Sequence, residues 1–429
     1  MSPATTYAAH SKRELIVHDS LAFLALLATS VVLFGVTLFL FRSFQAHRVE
    51  LAQRWAARGR TALAQKRPED AVRDLRTALS YAPEDRDDQL LLAQSLAQAG
   101  HLDEAANYFL TLWDARPGDG FINLELARLS REKNDDDAAD NYYRASIYGS
   151  WEGDGVLRRR EVRLELADFL IGQHRDAEAR NALFTVAGNA PKDVKLDDTV
   201  AQKLEAAGYS ADAYTFLEQA VAAAPRNRDT LAHAGRVAYQ LGMYADAERL
   251  LRRAIDQPIP ASENDNDAQR QQLVSLAQDA RRIQQLTLNR DQPATQRAEH
   301  ILEAAKIAQD RLRNCLSAPN SSPKNDPLLD DLTVRWMAVQ PNSRTSLRTV
   351  LENASAQDNF TELIYSTEQG TVQACGQPSG DDALLLRLAD AAQPAPVVEA
   401  PPQLPVQPTS TPSFTSRLFG RKAAPKNGN

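Results

Sequence analysis

The chain has 429 residues, of which 43% are hydrophobic and 24% charged, and it carries a formal net charge of -7. That length allows two or three domains, or one long repeat array with tails. A diffuse negative balance argues against nucleic acid as a partner, because phosphate binding needs a concentrated basic face. The two cysteines are Cys315 and Cys375, and no Cys/His cluster has metal-ligand spacing.

Residues 1–20 read as a short N-terminal tail. From Leu21 to Phe41 the chain runs LAFLALLATSVVLFGVTLFLF with no charged residue. A helix of that length spans about 31 Å, enough to cross the hydrocarbon core of a bilayer. A cleaved signal peptide would have a shorter apolar run and a small-x-small cleavage site. Here Arg42-Ser43-Phe44-Gln45 follows instead, which predicts a retained transmembrane anchor. Lys12 and Arg13 precede it, and Arg42, Arg48, Arg54, Arg58 and Arg60 follow it, a count that taken literally favours a cytoplasmic domain. Long domains translocate largely regardless of charge, however, and paired cysteines favour an oxidising compartment. The expectation is a single-pass protein of a bacterial-type inner membrane with its large domain periplasmic; the cytoplasmic orientation stays open.

Small residues then recur at Gly59, Ala93, Ala127, Ala167, Ala201 and Gly235, in steps of 34, 34, 40, 34 and 34. Twelve residues further on come Ala71, Ala105, Ala139, Ala179, Ala213 and Ala247. Four residues after each of these lies Leu75, Phe109, Tyr143, Leu183, Leu217 or Leu251. Pro83, Pro117, Pro191 and Pro225 close four of the six units. The 40-residue step absorbs a Gly-rich insertion at Tyr148–Gly155, expected to be a surface loop. Two antiparallel helices cross closely only where small side chains meet, and proline ends a helix it cannot extend.

This pattern resembles the tetratricopeptide repeat (TPR) family, whose unit is a 34-residue helix–turn–helix. Trp55, four residues before Gly59, matches the family's aromatic in the first unit; Gln89, Asn123 and Arg163 stand there in the next three. The resemblance covers about residues 50–260. It implies an all-α fold: an α-solenoid of about six units whose first helices line a groove for peptides of other proteins. The residue after each small Gly or Ala is then the candidate groove row: Arg60, Gln94, Arg128, Asp168, Gln202 and Arg236. Its mixed, partly cationic character suggests a polar or acidic segment as ligand. The Lys, Asn and Arg set of the family's two-carboxylate clamp is not present.

Beyond the array, residues 261–317 predict a helical hairpin capping its open end, with helices at 267–289 and 296–316. Residues 318–390 form a small C-terminal region, with short helices expected at Asp330–Val339 and Ser343–Leu351. Phe360–Ser366 and Thr371–Cys375 are expected as two strands joined by Thr367-Glu368-Gln369-Gly370. Cys315 and Cys375 either pair, closing a loop worth roughly 4 kcal/mol in the chain-entropy model, or stay as buried thiols in a cytoplasmic domain. Residues 391–429 are Pro-rich and read as an extended tail.

No phosphate-binding loop, zinc-protease or nucleophile-elbow motif occurs. The reading is therefore no enzyme, no cofactor, no metal and no small-molecule substrate. It is a membrane-anchored scaffold that contacts the bilayer through residues 21–41 and other proteins through its groove, in envelope complex assembly or secretion. The competing readings are a spacer presenting the Pro-rich tail and a carrier of an enzyme domain near the C-terminus.

Overall fold

The computed structural model describes residues 12–188, 193–258, 267–317, 326–339 and 351–392. Among the described residues there are seventeen α-helices and no strand. They fall into two compact units, residues 1–242 with 253–263, and residues 243–252 with 264–429.

The first unit begins with α1 (Lys12–Ala64), 53 residues without a break. It contains the apolar segment, and the first turns, expected as tail, are helical. No glycine or proline lies between Arg42 and Arg58, so nothing interrupts helix propagation from the apolar segment into the first repeat. Phe23, Phe34 and Phe39 are among many large apolar side chains exposed along it. This one helix is long and apolar enough to cross a membrane. Burial starts near Ala52 and Ala56, where the C-terminal part of α1 becomes a repeat helix.

Helical hairpins follow: α1 with α2 (Pro68–Tyr81), α3 (Arg86–Gln98) with α4 (Leu102–Ala115), α5 (Gly120–Glu132) with α6 (Asp136–Tyr148), α7 (Gly155–Gly172) with α8 (Asp176–Gly188), and α9 (Val194–Ala206) with α10 (Ser210–Ala223). Then come α11 (Arg228–Gln240) and α12 (Tyr244–Ile255). Each of the twelve small residues and six large residues of the repeat pattern is buried. The reason is visible at Gly59: a Cβ there would lie 2.6 Å from Cγ of Leu75, the large residue of the same unit. The small side chain and the large one are two sides of one contact.

The turns repeat as regularly. Lys66, Gly100, Asn134, His174, Gly208 and Gly242 all have positive φ, in the same steps of 34, 34, 40, 34 and 34. This residue ends each first helix in a left-handed conformation, and the next amide closes back on the helix, as in Arg67 N–H to Ala62 O and His101 N–H to Leu96 O. Lys66 and His174 adopt it at some conformational cost, since only glycine does so freely. First helices start on an aspartate or asparagine: Asp85, Asp119, Asp154, Asp193 and Asn227 each accept hydrogen bonds from the amides of the first turn.

The insertion is more than a surface loop. It lengthens α7 to 18 residues where α3, α5, α9 and α11 have 13, and it folds back on α5. Gly120 N–H donates to Ser150 O, Ser150 N–H donates to Gly118 O, and Trp151 Nε1 donates to Ser146 O at 3.0 Å. Trp151 fills the space where Gly120 lacks a side chain; a Cβ there would fall 2.4 Å from the indole.

In the second unit, residues 244–252 of α12 are followed by α13 (Asp267–Leu286), α14 (Ala294–Ser317), α15 (Pro327–Val339), α16 (Ala354–Cys375) and α17 (Asp381–Ala392). The expected strand pair is wrong: Phe360–Cys375 lies within one helix. Phe360, Leu363, Ile364, Thr367, Gly370 and Thr371 recur at three- and four-residue spacing and are all buried, which is a helical stripe, not a two-residue alternation. Gly370 makes no turn; it lets Leu332 and Leu328 of α15 approach. The chain turns instead at Gly376, with φ 80°. Helix α17, for which the sequence reading has no counterpart, buries Leu384, Leu385, Leu388 and Ala389. Residues 391 and 392, expected to begin the Pro-rich tail, end α17. Residues 393–429, and the helix expected at Ser343–Leu351 up to residue 350, lie outside the described residues.

Candidate functional site

The six residues of the candidate row lie along the first helices, and three of their four charges are paired. Arg60 on α1 donates to Asp88 on α3 at 3.1 Å, and Asp88 is 3% exposed. Burial and Asp85 raise the Asp88 carboxyl, with Arg60 opposing them. Arg128 on α5 grips Glu165 on α7 through Nε at 2.9 Å and a terminal nitrogen at 2.8 Å, and also reaches Glu125. Asp168 on α7 accepts from Lys203 on α9. Gln202 turns back to Asp198 on its own helix at 2.8 Å. Gln94 and Arg236 are half-buried. Among the described residues, Arg60, Arg128 and Asp168 each pair with the next first helix and so tie consecutive repeats together, and Arg128 also pairs with Glu125 on its own helix.

Glu165 is the centre of the strongest cluster. Burial resists its ionisation, but the Arg128 hydrogen bonds and charge, with the Tyr143 hydroxyl at 2.9 Å, hold the carboxyl below its ordinary range. Burial lifts the Glu125 carboxyl despite Arg128. Burial and Glu165 together raise the Tyr143 phenol, which stays a donor. Further along, His233 on α11 lies between two carboxylates of α9, with Nδ1 2.6 Å from Asp198 and Nε2 against Glu205. Burial disfavours the imidazolium, but the two carboxylates win and push the His233 pKa up to about 9.

Between α3, α5 and α7 the first-helix face opens into a cavity of about 500 Å³. Leu90 and Leu112, Phe121, Ile122 and Leu124, and Val162 line it with apolar surface, and the insertion closes one side with Ser150, Trp151 and Glu152. Four arginines (Arg86, Arg116, Arg128, Arg158) and five acids (Asp87, Asp119, Glu152, Glu161, Glu165) complete it. Arg128 is the single row residue in this cavity. The sequence reading missed Trp151, Phe121 and Glu165; a tryptophan inside a Gly-rich insertion was the available signal for the first.

Chemically the cavity offers apolar contact framed by charges, most of them already paired, and no nucleophile–base pair. No group of His, Cys, Asp and Glu suited to a metal occurs among the described residues. In the second unit Cys315 and Cys375 are joined, with their Cα atoms 5.6 Å apart.

This all-helical architecture of stacked hairpins is TPR-like. Residues 62–121 match a family model described as Tetratricopeptide repeat. Among solved structures, the chain is similar to the C-terminal part of a TPR repeat-containing protein from Cytophaga hutchinsonii, at 12% identity and TM-score 0.42, covering 64% of this chain and 97% of that one. It is also similar to PilW, a type IV pilus biogenesis factor, at 16% identity and TM-score 0.35, covering 49% and 91%. YrrB, a TPR protein with an unusual peptide-binding site, matches at 15% identity and TM-score 0.34, covering 48% and 97%. No curated protein matches the chain in sequence.

Proposed function

We propose that this protein is a membrane-anchored scaffold that holds a segment of another protein in the cavity between α3, α5 and α7, in the assembly of an envelope complex. The observation that carries this reading is the cavity itself: its apolar lining, buried but for the half-buried Leu90, Phe121 and Trp151, lies on the face that TPR-like hairpins leave open, walled by an insertion packed in place through Trp151. A near balance of acidic and basic groups, with Arg128 already engaged, favours an amphipathic segment with bulky apolar side chains over the polar or acidic one that the row by itself suggests. The apolar part of α1 supports the anchor, and its unbroken passage into the first repeat supports a rigid stand-off from the bilayer. The joined cysteines support an extracytoplasmic, oxidising location for the second unit.

The test is site-specific photo-crosslinking in cells. A photoreactive residue in place of Phe121, at the cavity, should give a discrete adduct with one protein. The same residue in place of Leu110, an exposed position on α4, should not. Trp151→Ala should abolish the Phe121 adduct while leaving the melting of the array within a few degrees. Equal labelling from both positions would refute the assignment of the site.

A further inference from the structure

We propose that the Cys315–Cys375 disulfide is a reducible clasp: it keeps α16 against α14 with the Glu368 carboxyl enclosed, and its reduction makes release of α16 depend on that carboxyl losing its proton.

The two helices run parallel in a constant register. Arg297 reaches Gln357, Arg311 reaches Thr371, and Cys315 is bonded to Cys375, each pair 60 residues apart. Glu368 lies seven residues before Cys375, two helical turns along the same strip of α16. It is 0% exposed, and neither carboxylate oxygen has a hydrogen-bond partner among the described residues.

Its surroundings explain why ionisation in place is disfavoured. From α14 the charged group is Arg311, but its guanidinium is committed to the Thr371 hydroxyl and to Gly376 O at 2.6 Å. From α17 it is Asp382, of the same sign, with Asp381 bound to Arg282 of α13. From α15, Trp336 bonds Thr367, the residue before Glu368, while Arg335 is engaged with Glu362 further back on α16. Burial and Asp382 therefore push the Glu368 carboxyl up to about 8 from an ordinary 4.5, with Arg311 offsetting only part.

The packed state holds the proton more tightly than the open state, so its advantage is complete below about 4.5. It is lost as pH rises towards about 8, with the opening constant growing about tenfold per pH unit between them. While the disulfide is intact, the end of α16 is tied two turns from Glu368 and the carboxyl cannot reach water.

The chemistry of release is thiol–disulfide exchange with a dithiol donor. One donor thiolate attacks Sγ of Cys375, the half-buried sulfur, the S–S bond breaks, and Cys315 leaves as a thiolate that takes a proton. The second donor thiol resolves the mixed disulfide. Two thiols form on the protein, and the donor becomes a disulfide.

Hydrogen exchange on the full-length protein in detergent tests this, read as protection factors so that the intrinsic pH dependence of exchange drops out. Over pH 5.5 to 7.5, with a phosphine reductant, protection across α16 should fall about a hundredfold. It should stay level in the oxidised protein. In reduced Glu368→Gln the fall should shrink by about one proton's worth, or tenfold per pH unit; Glu368→Met, apolar and of similar length, serves the same comparison. An equal fall in the oxidised protein, no fall in the reduced one, or an undiminished fall in both variants would each overturn the proposal.

Discussion

Raising the pH should loosen the array at one place, the His233 clasp. His233 is 8% exposed and joins α11 to α9 through Asp198 and Glu205. Its pKa rises from 6.5 to about 9 on folding. At 1.36 kcal/mol per unit, that is a stabilisation of about 3 kcal/mol. Because the folded value is the higher one, the contribution is complete below pH 6.5 and disappears as pH rises through about 9. Urea melts of wild type and His233→Gln at pH 6.0, 7.5 and 9.5 measure it. The gap between the two should be widest at pH 6.0, narrow at 7.5, and close by 9.5, and hydrogen exchange should place the loss in α9–α11. A gap of the same size at all three pH values would show that His233 packs as a neutral ring, and the charge argument would fail. Titration of the His233 ring by NMR gives an independent check: a midpoint near 6.5 refutes it.

Two other substitutions probe the array. Phe109→Ala removes a fully buried ring that packs in one cluster with Ala93 and Ala105, and should cost about 3–5 kcal/mol; calorimetry on the full chain reads it, and a cost under about 1 kcal/mol would mean the repeat phase is misplaced. Arg128→Glu sets three carboxylates together at Glu125 and Glu165, and should destabilise α5–α7 by about 1–2 kcal/mol, reduced from the buried-pair range because Arg128 is 44% exposed. The exchanged pair Arg128→Glu with Glu165→Arg should recover part of that loss in the same melts. A null effect of the single change would assign the pair to the solvated surface. Arg128 reversal therefore cannot report on partner binding alone, whereas crosslinking from Phe121 reads the cavity itself.

The local grammar of this protein could be read in its sequence. Crossing helices need a small residue where they touch, and the recurrence of Gly59 and Ala93 through Gly235, with Ala71 through Ala247, places hairpins in their phase before any coordinates. The apolar segment Leu21–Phe41 is legible for the same reason, since length and the absence of charge are properties of the chain alone. Where local signals compete, the reading failed. Thr367-Glu368-Gln369-Gly370 looks like a turn, yet Gly370 sits inside α16 because Leu328 and Leu332 need the room. Only the packing of α15 on α16 could decide that.

The candidate site shows the same division. Spacing put Arg60, Arg128 and Asp168 on the first-helix face, but it could not say that Asp88, Glu165 and Lys203 of the neighbouring helices would take up their charge. Those partners are 28 to 37 residues away in the chain. Nor could it say that Trp151 would cover Gly120 and turn an insertion into the wall of a cavity. Periodicity determines which face of a helix is buried, because that depends on the helix's own 3.6-residue turn. Which charges remain available, and where the open face deepens into a cavity, depends on distances between helices, and those exist only once the repeats are stacked.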